Sequence, residues 1–464
     1  MQILEKLNSV LFSPLLVMTV LLTGGILFVR FGYLVFTRPG RTLSAFKKRG
    51  KEKNGISPFK SVALALASTM GVGNIVGVST AIAAGGPGAV FWMVASALVA
   101  MSVKYAEVCL GVSARKRVFG VLHGGAPYYF EKYAGRALAV GFACLLLVNS
   151  LTVGNIVQTN ALSESVAASF GTDPRICGAL FFVLCAFSLM RKNKKIENMT
   201  SIAVTLATLL FCVFSVAAVA RSFDKLGQVF ILIFKNAFSF RAAAAGGMGY
   251  TASKAIRFGV TRGIMSNEAG SGTSPTAHSL SSNGPAEQGI FGVLEVFVDT
   301  VVTCSLTALV ILLAYGDSYS GMTGMELALG AFGKFFGRRA EVVLTLSVAI
   351  FAYATVISQF YYGREALFFI TRKRSARAAF DAVFMFLIYL GSVMPVGILW
   401  QVTDLNVCVM TSVNCAMILC RSGEIKEVTY AFYNKVSKNK RNFGEEKTGA
   451  PARKRRYYSD GSGI

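Results

Sequence analysis

Charge is what this sequence has least of. Asp, Glu, Lys and Arg make up 15 % of its 464 residues, against roughly a quarter in an ordinary soluble domain, which argues against a water-soluble globule. Histidine is scarcer still: only His123 and His278 occur, neither with a second His or Cys at ligand spacing, so metal catalysis has little support. The nine cysteines lie in or beside apolar runs with no CxxC spacing. They read as small buried hydrophobes rather than disulfide partners or metal ligands. Acidic residues number 23 against 47 basic ones, for a net charge of +24. Such an excess could suggest nucleic acid, but it sits in short loops and in the tail, where basic residues set topology and face anionic lipid.

What is present is apolar length. Hydrophobic residues make up 54 % of the chain, and runs of about 20 recur throughout, the signal of membrane-spanning helices. Eleven spans are predicted, at 11–36, 58–84, 89–112, 138–165, 176–190, 199–220, 244–279, 288–315, 340–370, 379–399 and 402–420. The first run is followed by ten more, so it reads as a first helix rather than a cleaved signal. Taking Lys60 with its neighbouring loop, the loops of one side and the tail hold 32 Lys and Arg, and the other side holds 9. That bias predicts an outside N-terminus and a cytoplasmic C-terminus. The polar tail, 421–464, is expected to be disordered.

Two spans are interrupted. The second reads "SVALALASTMGVGNIVGVSTAIAAGGPG", with Ser68, Thr69, Gly71, Gly73, Asn74 and Gly77 at its centre. The seventh contains "GIMSNEAGSGTSP", residues 263–275, with Glu268, Gly270 and Gly272. Glycine weakens a helix, and bare backbone groups at membrane depth are tolerated only against protein or a water-filled cavity. Close helix packing is the plainer reading, and Gly73 and Gly77 do form a GxxxG pair. It accounts less well for "SNEAGSG", because a carboxylate at membrane depth is costly and usually functional.

Spans two to six and seven to eleven form two sets of five, each opened by an interrupted helix. An odd repeat length inverts the second set, and matching breaks in inverted repeats point to a secondary transporter's binding site. The organisation expected is a helix with a basic loop (1–57), two five-helix repeats (58–220 and 244–420) and the tail (421–464). Helix N-terminal ends at a break attract a carboxylate; C-terminal ends offer carbonyls to an ammonium group or sodium. A zwitterionic amino acid plus a cation fits both.

These stretches resemble the alanine or glycine:cation symporter family of the amino acid–polyamine–cation superfamily. The likeness runs over nearly the whole chain and is strongest in "GVGNIVGVSTAIAAGGPGAVFWM", "VGNIVQTN", "RGIMSNEAGSGTSPTAH" and "EVFVDTVVTCSLTALVIL". It implies an all-α, leucine-transporter-type fold of five plus five inverted helices with one extra N-terminal helix. It implies sodium-coupled uptake of alanine, glycine or a close relative, with Na+ as the co-transported ion and no organic cofactor. By that likeness, the amides of Val72 and Gly73 hold the substrate carboxylate and Thr69 and Asn74 complete the pocket. Ser266 and Asn267 lie near the ammonium, Asn155 and Gln158 add polar contacts, and carbonyls of Ala67 and Met70 meet Thr355 around sodium. Gly71, Gly77, Glu268, Gly270 and Gly272 belong to the breaks and their gating. The sequence departs from the family at Val72, where Thr is common, at "GGAPYY" in place of "GGPMYY", at Ala354, where a hydroxyl is common, and at Gln359, where Trp or Asn is expected. These changes bear on pocket size and sodium geometry.

Other polar residues have plainer readings. Glu268 reads either as a gate or as a carboxylate bonding free amides at the break. Glu295 and Asp299 share a helix face, with Arg257, Arg262 or Lys254 as expected partners; a proton relay is the alternative. Lys104 and Glu107 read as an internal ion pair, Gly85 to Gly88 as a tight turn, and Tyr361, Tyr362 and Trp400 as an aromatic belt. The partners expected are a small amino acid and a cell-membrane bilayer with anionic lipid at the cytoplasmic face, with no nucleic acid and no obligate protein. A membrane-embedded enzyme would need a cluster of acid, base and nucleophile that is not legible, and a binding-only sensor would need a signalling domain that the tail does not show.

Overall fold

The computed structural model describes residues 13–47, 55–190, 194–239, 249–319, 321–394 and 396–434. Apart from a two-stranded hairpin, Lys116–Val118 with Val121–His123, its regular structure is helical, and the chain is a multi-pass membrane protein. Among the described residues eight helices are long and apolar enough to cross a bilayer, and a bent pair makes a ninth crossing. Helices lie on all eleven expected segments. Three are not plain spans: the second is bent by 64° between Pro58–Thr69 and Val72–Gly85, Pro174–Leu189 is short, and Gly249–Asn267 carries much of the polar sequence. Leu180, Val183, Leu206, Leu209, Val213 and Val216 are exposed along the fifth and sixth segments, as lipid-facing side chains should be.

The first broken helix starts cleanly. Ser57 accepts from the Lys60 amide and Pro58 occupies the first turn, a cap that contributes about 1 kcal/mol. The helix ends at Thr69, Gly71 is extended, and a short tight-helical turn, Val72–Asn74, precedes Val76–Gly85. Gly71 is fixed by space: an added Cβ would lie 2.7 Å from Gln158 Oε1 and 3.0 Å from Thr355 Oγ1.

The second broken helix is less symmetric than its sequence suggests. Gly249–Asn267 runs unbroken through "GIMSN", so the break begins only at Glu268. Glu268 and Gly270 have φ of 51° and 84°, the region that favours glycine. Helix then resumes for only one turn, Pro275–His278. The two broken helices are pinned together where they enter and leave: Ile56 N donates to Leu280 O at 2.9 Å, and Ser282 N donates to Ile56 O at 2.9 Å.

Gly249–Asn267 packs against Gly88–Ala114 and Val76–Gly85, while Pro285–Val296 covers Gly88–Ala114 from another side. The second group is built on Arg338–Ile370, which packs on Arg136–Leu151, Val157–Phe170 and Pro58–Thr69. The helix Ser13–Leu27 lies outside both groups, against Gly88–Ala114 and Val396–Cys420. Two π-helical segments, Thr152–Ile156 and Phe297–Cys304, interrupt spans at the level of the breaks. π-helical interruptions within helices often mark functional sites.

Helices over Ala126–Ala134, Leu226–Ala237 and Gly324–Phe336 were not expected. The tail also departs from expectation at its start. Residues 422–434 are helical and bury Ile425, Phe432 and Tyr433; Thr429 bonds Tyr105 at 2.9 Å and Tyr433 bonds Thr42 at 2.8 Å. Apolar and hydroxyl contacts along one face suffice to dock a segment that is otherwise charged. Residues 435–464 lie outside the described residues. Tyr362 is 2 % exposed and is a core residue rather than part of an aromatic belt.

One close helix approach yields a test. An added Cβ on Gly154 would lie 2.4 Å from Cβ and Cγ of Gln359. Gly154→Ala is therefore expected to destabilise the purified protein by about 1–3 kcal/mol through overpacking, seen as a lowered melting temperature. An unchanged melting temperature would contradict this packing.

Candidate functional site

A cavity of about 30 Å³ opens between the two breaks, room for roughly two water molecules by the usual measure of one probe sphere each. Ser68, Thr69, Val72, Gly73 and Gly77 of the first broken helix form one wall, and Met265 and Glu268 of the second form another. Val153, Val157 and Gln158 close the side, with Arg262 and Trp400 at the remaining edge. Of the residues singled out from the sequence, Thr69, Val72, Gly73, Gly77, Gln158 and Glu268 therefore meet around one space.

The polar groups of that space are tied across elements. The Val72 amide donates to Gln158 Oε1 at 3.1 Å, and Gln158 Nε2 donates to Val153 O at 3.1 Å. Gln359 Nε2 donates to Ser68 Oγ at 3.0 Å and to Glu268 Oε1 at 3.3 Å, so one amide touches both breaks. Glu268 also accepts a short bond from the Thr273 hydroxyl. The free-amide contact considered for Glu268 is instead made by Glu107, whose Oε2 accepts from Gly272 N at 3.1 Å. The Thr355 hydroxyl donates to Ala67 O at 3.3 Å. This brings two of the three expected sodium neighbours together, beside the backbone that leaves its helix at Met70.

Asn74, Ser266 and Asn267 are gathered elsewhere. Asn74 Nδ2 donates to Asp299 O at 3.0 Å and to Asp299 Oδ1 at 2.8 Å. Ser266 and Thr300 hydroxyls donate to Asp299 Oδ2 at 2.8 and 2.9 Å, and Asn267 Nδ2 donates to Thr300 at 3.1 Å. Asp299 is completely buried and joins both breaks through one carboxylate. The sequence pointed to Asp299 only through its spacing from Glu295; the π segment that turns it toward the breaks has no sequence signal. Asn155 bonds Phe384 O at 2.8 Å, so it braces two helices. Gly270 O accepts from Asn414 at 2.9 Å.

Other pairings differ from those expected. Glu295 lies against Lys104 and His278, at 3.3 and 2.8 Å, whereas Lys104 pairs with Glu107 at 3.5 Å, the internal ion pair the sequence suggested. Arg262 reaches Asp404 at 3.2 Å and lies over the Trp400 ring, 4.8 Å from its centroid. Trp400 thus edges the cavity instead of a lipid belt. No group of three or more His, Cys, Asp or Glu arranged for a metal ion occurs among the described residues.

The profile of the sodium:alanine symporter family matches residues 1–446. The sodium/alanine symporter AgcS of Methanococcus maripaludis is 32 % identical over 450 residues, covering 94 % of this chain and 98 % of that protein. The probable sodium/glutamine symporter GlnT of Bacillus subtilis is 30 % identical over 432 residues, covering 91 % and 89 %. Among solved structures, MhsT in complex with L-phenylalanine aligns with a TM-score of 0.56 at 15 % identity, over 80 % of this chain and 90 % of that one. That likeness shows a shared fold.

The Asp299 cluster makes a prediction. Asp299→Ala leaves the Asn74, Ser266 and Thr300 donors without their acceptor, at about 1–3 kcal/mol for each buried group. A large fall in melting temperature is expected, with a smaller fall for Asp299→Asn, which keeps one acceptor oxygen. Equal melting temperatures for the two variants would count against the cluster.

Proposed function

The chain belongs to the sodium:alanine symporter family, and on that premise we propose that it carries a small neutral amino acid (alanine, glycine or D-alanine) together with sodium by alternating access. The family is one of transporters, not enzymes. The single observation that carries the reading is the cavity between the breaks: it is small, and it has backbone of the first break on one wall and the Glu268 carboxylate on another.

The parts divide the work by charge. A substrate carboxylate suits the first break, where the amides of Val72 and Gly73 belong to a turn that is no longer inside a regular helix. Taking the Val72 amide means displacing Gln158 Oε1, which accepts from it at 3.1 Å. Thr69 lies on the same wall. The ammonium end falls toward Glu268, with Gln359 holding the carboxylate in place. Sodium suits the oxygens of Ala67, Met70 and Thr355, because hard cations prefer carbonyl and hydroxyl oxygen. Asn74 and Ser266 serve by fixing the two breaks to Asp299, and Asn267 by bonding the neighbouring Thr300. No covalent step is needed, since movement of one helix group against the other exchanges access.

The narrow space between the breaks favours a small substrate over a bulky one, and Gln359, near the cavity, favours one that can hydrogen-bond. Uptake of labelled alanine, glycine, D-alanine, serine and glutamine into proteoliposomes decides among them. Accumulation of alanine or glycine under an inward sodium gradient is the expected result; binding without accumulation, or silence for all five, would sink the reading. In the same vesicles Thr355→Ala, which deletes one sodium oxygen, is expected to raise the half-saturating sodium concentration several-fold. An unchanged sodium curve would remove Thr355 from the ion site.

A further inference from the structure

Beside the second break, and not part of the cavity wall, lies a completely buried ammonium. Lys104, Glu107 and Glu295 are each 0 % exposed. Lys104 Nζ meets Ser274 Oγ at 2.6 Å, Glu295 Oε1 at 3.3 Å and Glu107 Oε1 at 3.5 Å. Those oxygens come from three places: the Gly88–Ala114 helix itself, the end of the second break, and Pro285–Val296. A buried charge is costly unless paired and hydrogen-bonded, so this cage is a built one.

The cage continues outward through His278 and Gln288. Ser61 Oγ donates to Pro58 O at 2.9 Å, so its oxygen must accept from Gln288 Nε2 at 2.7 Å. That orients the Gln288 amide nitrogen toward His278 Nδ1, also at 2.7 Å. On its other side the His278 ring meets Glu295, with Nε2 2.8 Å from Oε2. Lys104 is the ammonium held directly between the two carboxylates of the cage. Glu107 is further held by the Gly272 amide and by Asn414 Nδ2 at 3.2 Å; bonds of this kind to a charged acceptor are among the stronger ones.

We propose that the Lys104 ammonium is a tethered cation: it fills, at the second break, an oxygen cage suited to a hard metal ion, and leaves exchangeable sodium to the rest of the site. Oxygen ligands that include carboxylates are the donor set hard cations prefer. Here the charge arrives on a four-carbon stem from the neighbouring helix and cannot leave. Lys104 is a positioning residue, and this role rests on the sodium-coupled reading above only in naming sodium as the ion excluded.

The test compares melting temperatures of purified wild type, Lys104→Met and Lys104→Met/Glu295→Gln, each in sodium chloride and in choline chloride of equal ionic strength. Methionine keeps the stem and vacates the cage. A ligand that binds only the folded protein raises its stability, so Lys104→Met is expected to show a larger sodium-dependent rise than wild type. The double variant, with one carboxylate neutralised, is expected to return to the wild-type rise. Equal rises in wild type and Lys104→Met overturn the proposal, because a lysine that merely packs would lower both temperatures alike. If Lys104→Met alone yields no folded protein, a folded double variant with the wild-type rise supports the proposal and an unfolded one overturns it. None of these readings depends on uptake, so failure of sodium-driven uptake in wild type would count against the transport function alone.

Discussion

A helix in hydrocarbon satisfies its own backbone, and a helix that stops at mid-depth does not. Everything around the two breaks answers that constraint. Gln158 takes the Val72 amide, Glu107 takes the Gly272 amide, and Asn414 donates to the Gly270 carbonyl. Each satisfying group comes from a different helix, so the breaks can exist only inside the packed assembly. The same dependence explains why so many polar side chains are buried in a chain with so little charge. They complete backbone that the glycines have left open.

The polar chains then extend outward from those first contacts. Asp299 gathers donors from both breaks, and Gln359 reaches from Arg338–Ile370 to Ser68 and Glu268. One helix group is thereby connected to the other through hydrogen bonds that can be remade singly, while apolar packing within each group stays intact. Such a division suits a molecule whose two halves shift against each other. It also places Gln359 at the junction between the halves.

The breaks were legible because clustered glycine and polar residues rarely sit inside long apolar runs unless the helix is interrupted there, and the spans followed from hydropathy. Which way the polar side chains point was not legible. Asn74 follows Gly73 directly in the sequence, yet the tight-helical turn of Val72–Asn74 carries its amide to Asp299 while Gly73 stays on the cavity wall. The start of the tail shows the opposite failure. Ile425, Thr429 and Phe432 recur at helical spacing, but the dense charge further along suggested disorder for the whole segment. Likewise, Trp400 carries the ordinary signature of an interfacial aromatic, yet it lines the cavity beside Arg262, whose guanidinium lies over its ring.

The paired bonds of Ile56 with Leu280 and Ser282 couple the start of one broken helix to the end of the other. Two hydrogen bonds on one residue resist shear as well as separation, so a tilt of either helix drags its counterpart by the same pivot. The two discontinuous helices are therefore joined at this small parallel bridge as well as facing each other at the breaks. That bridge lies apart from the residues that line the cavity, so the ends of the two broken helices are joined by contacts separate from those at the breaks.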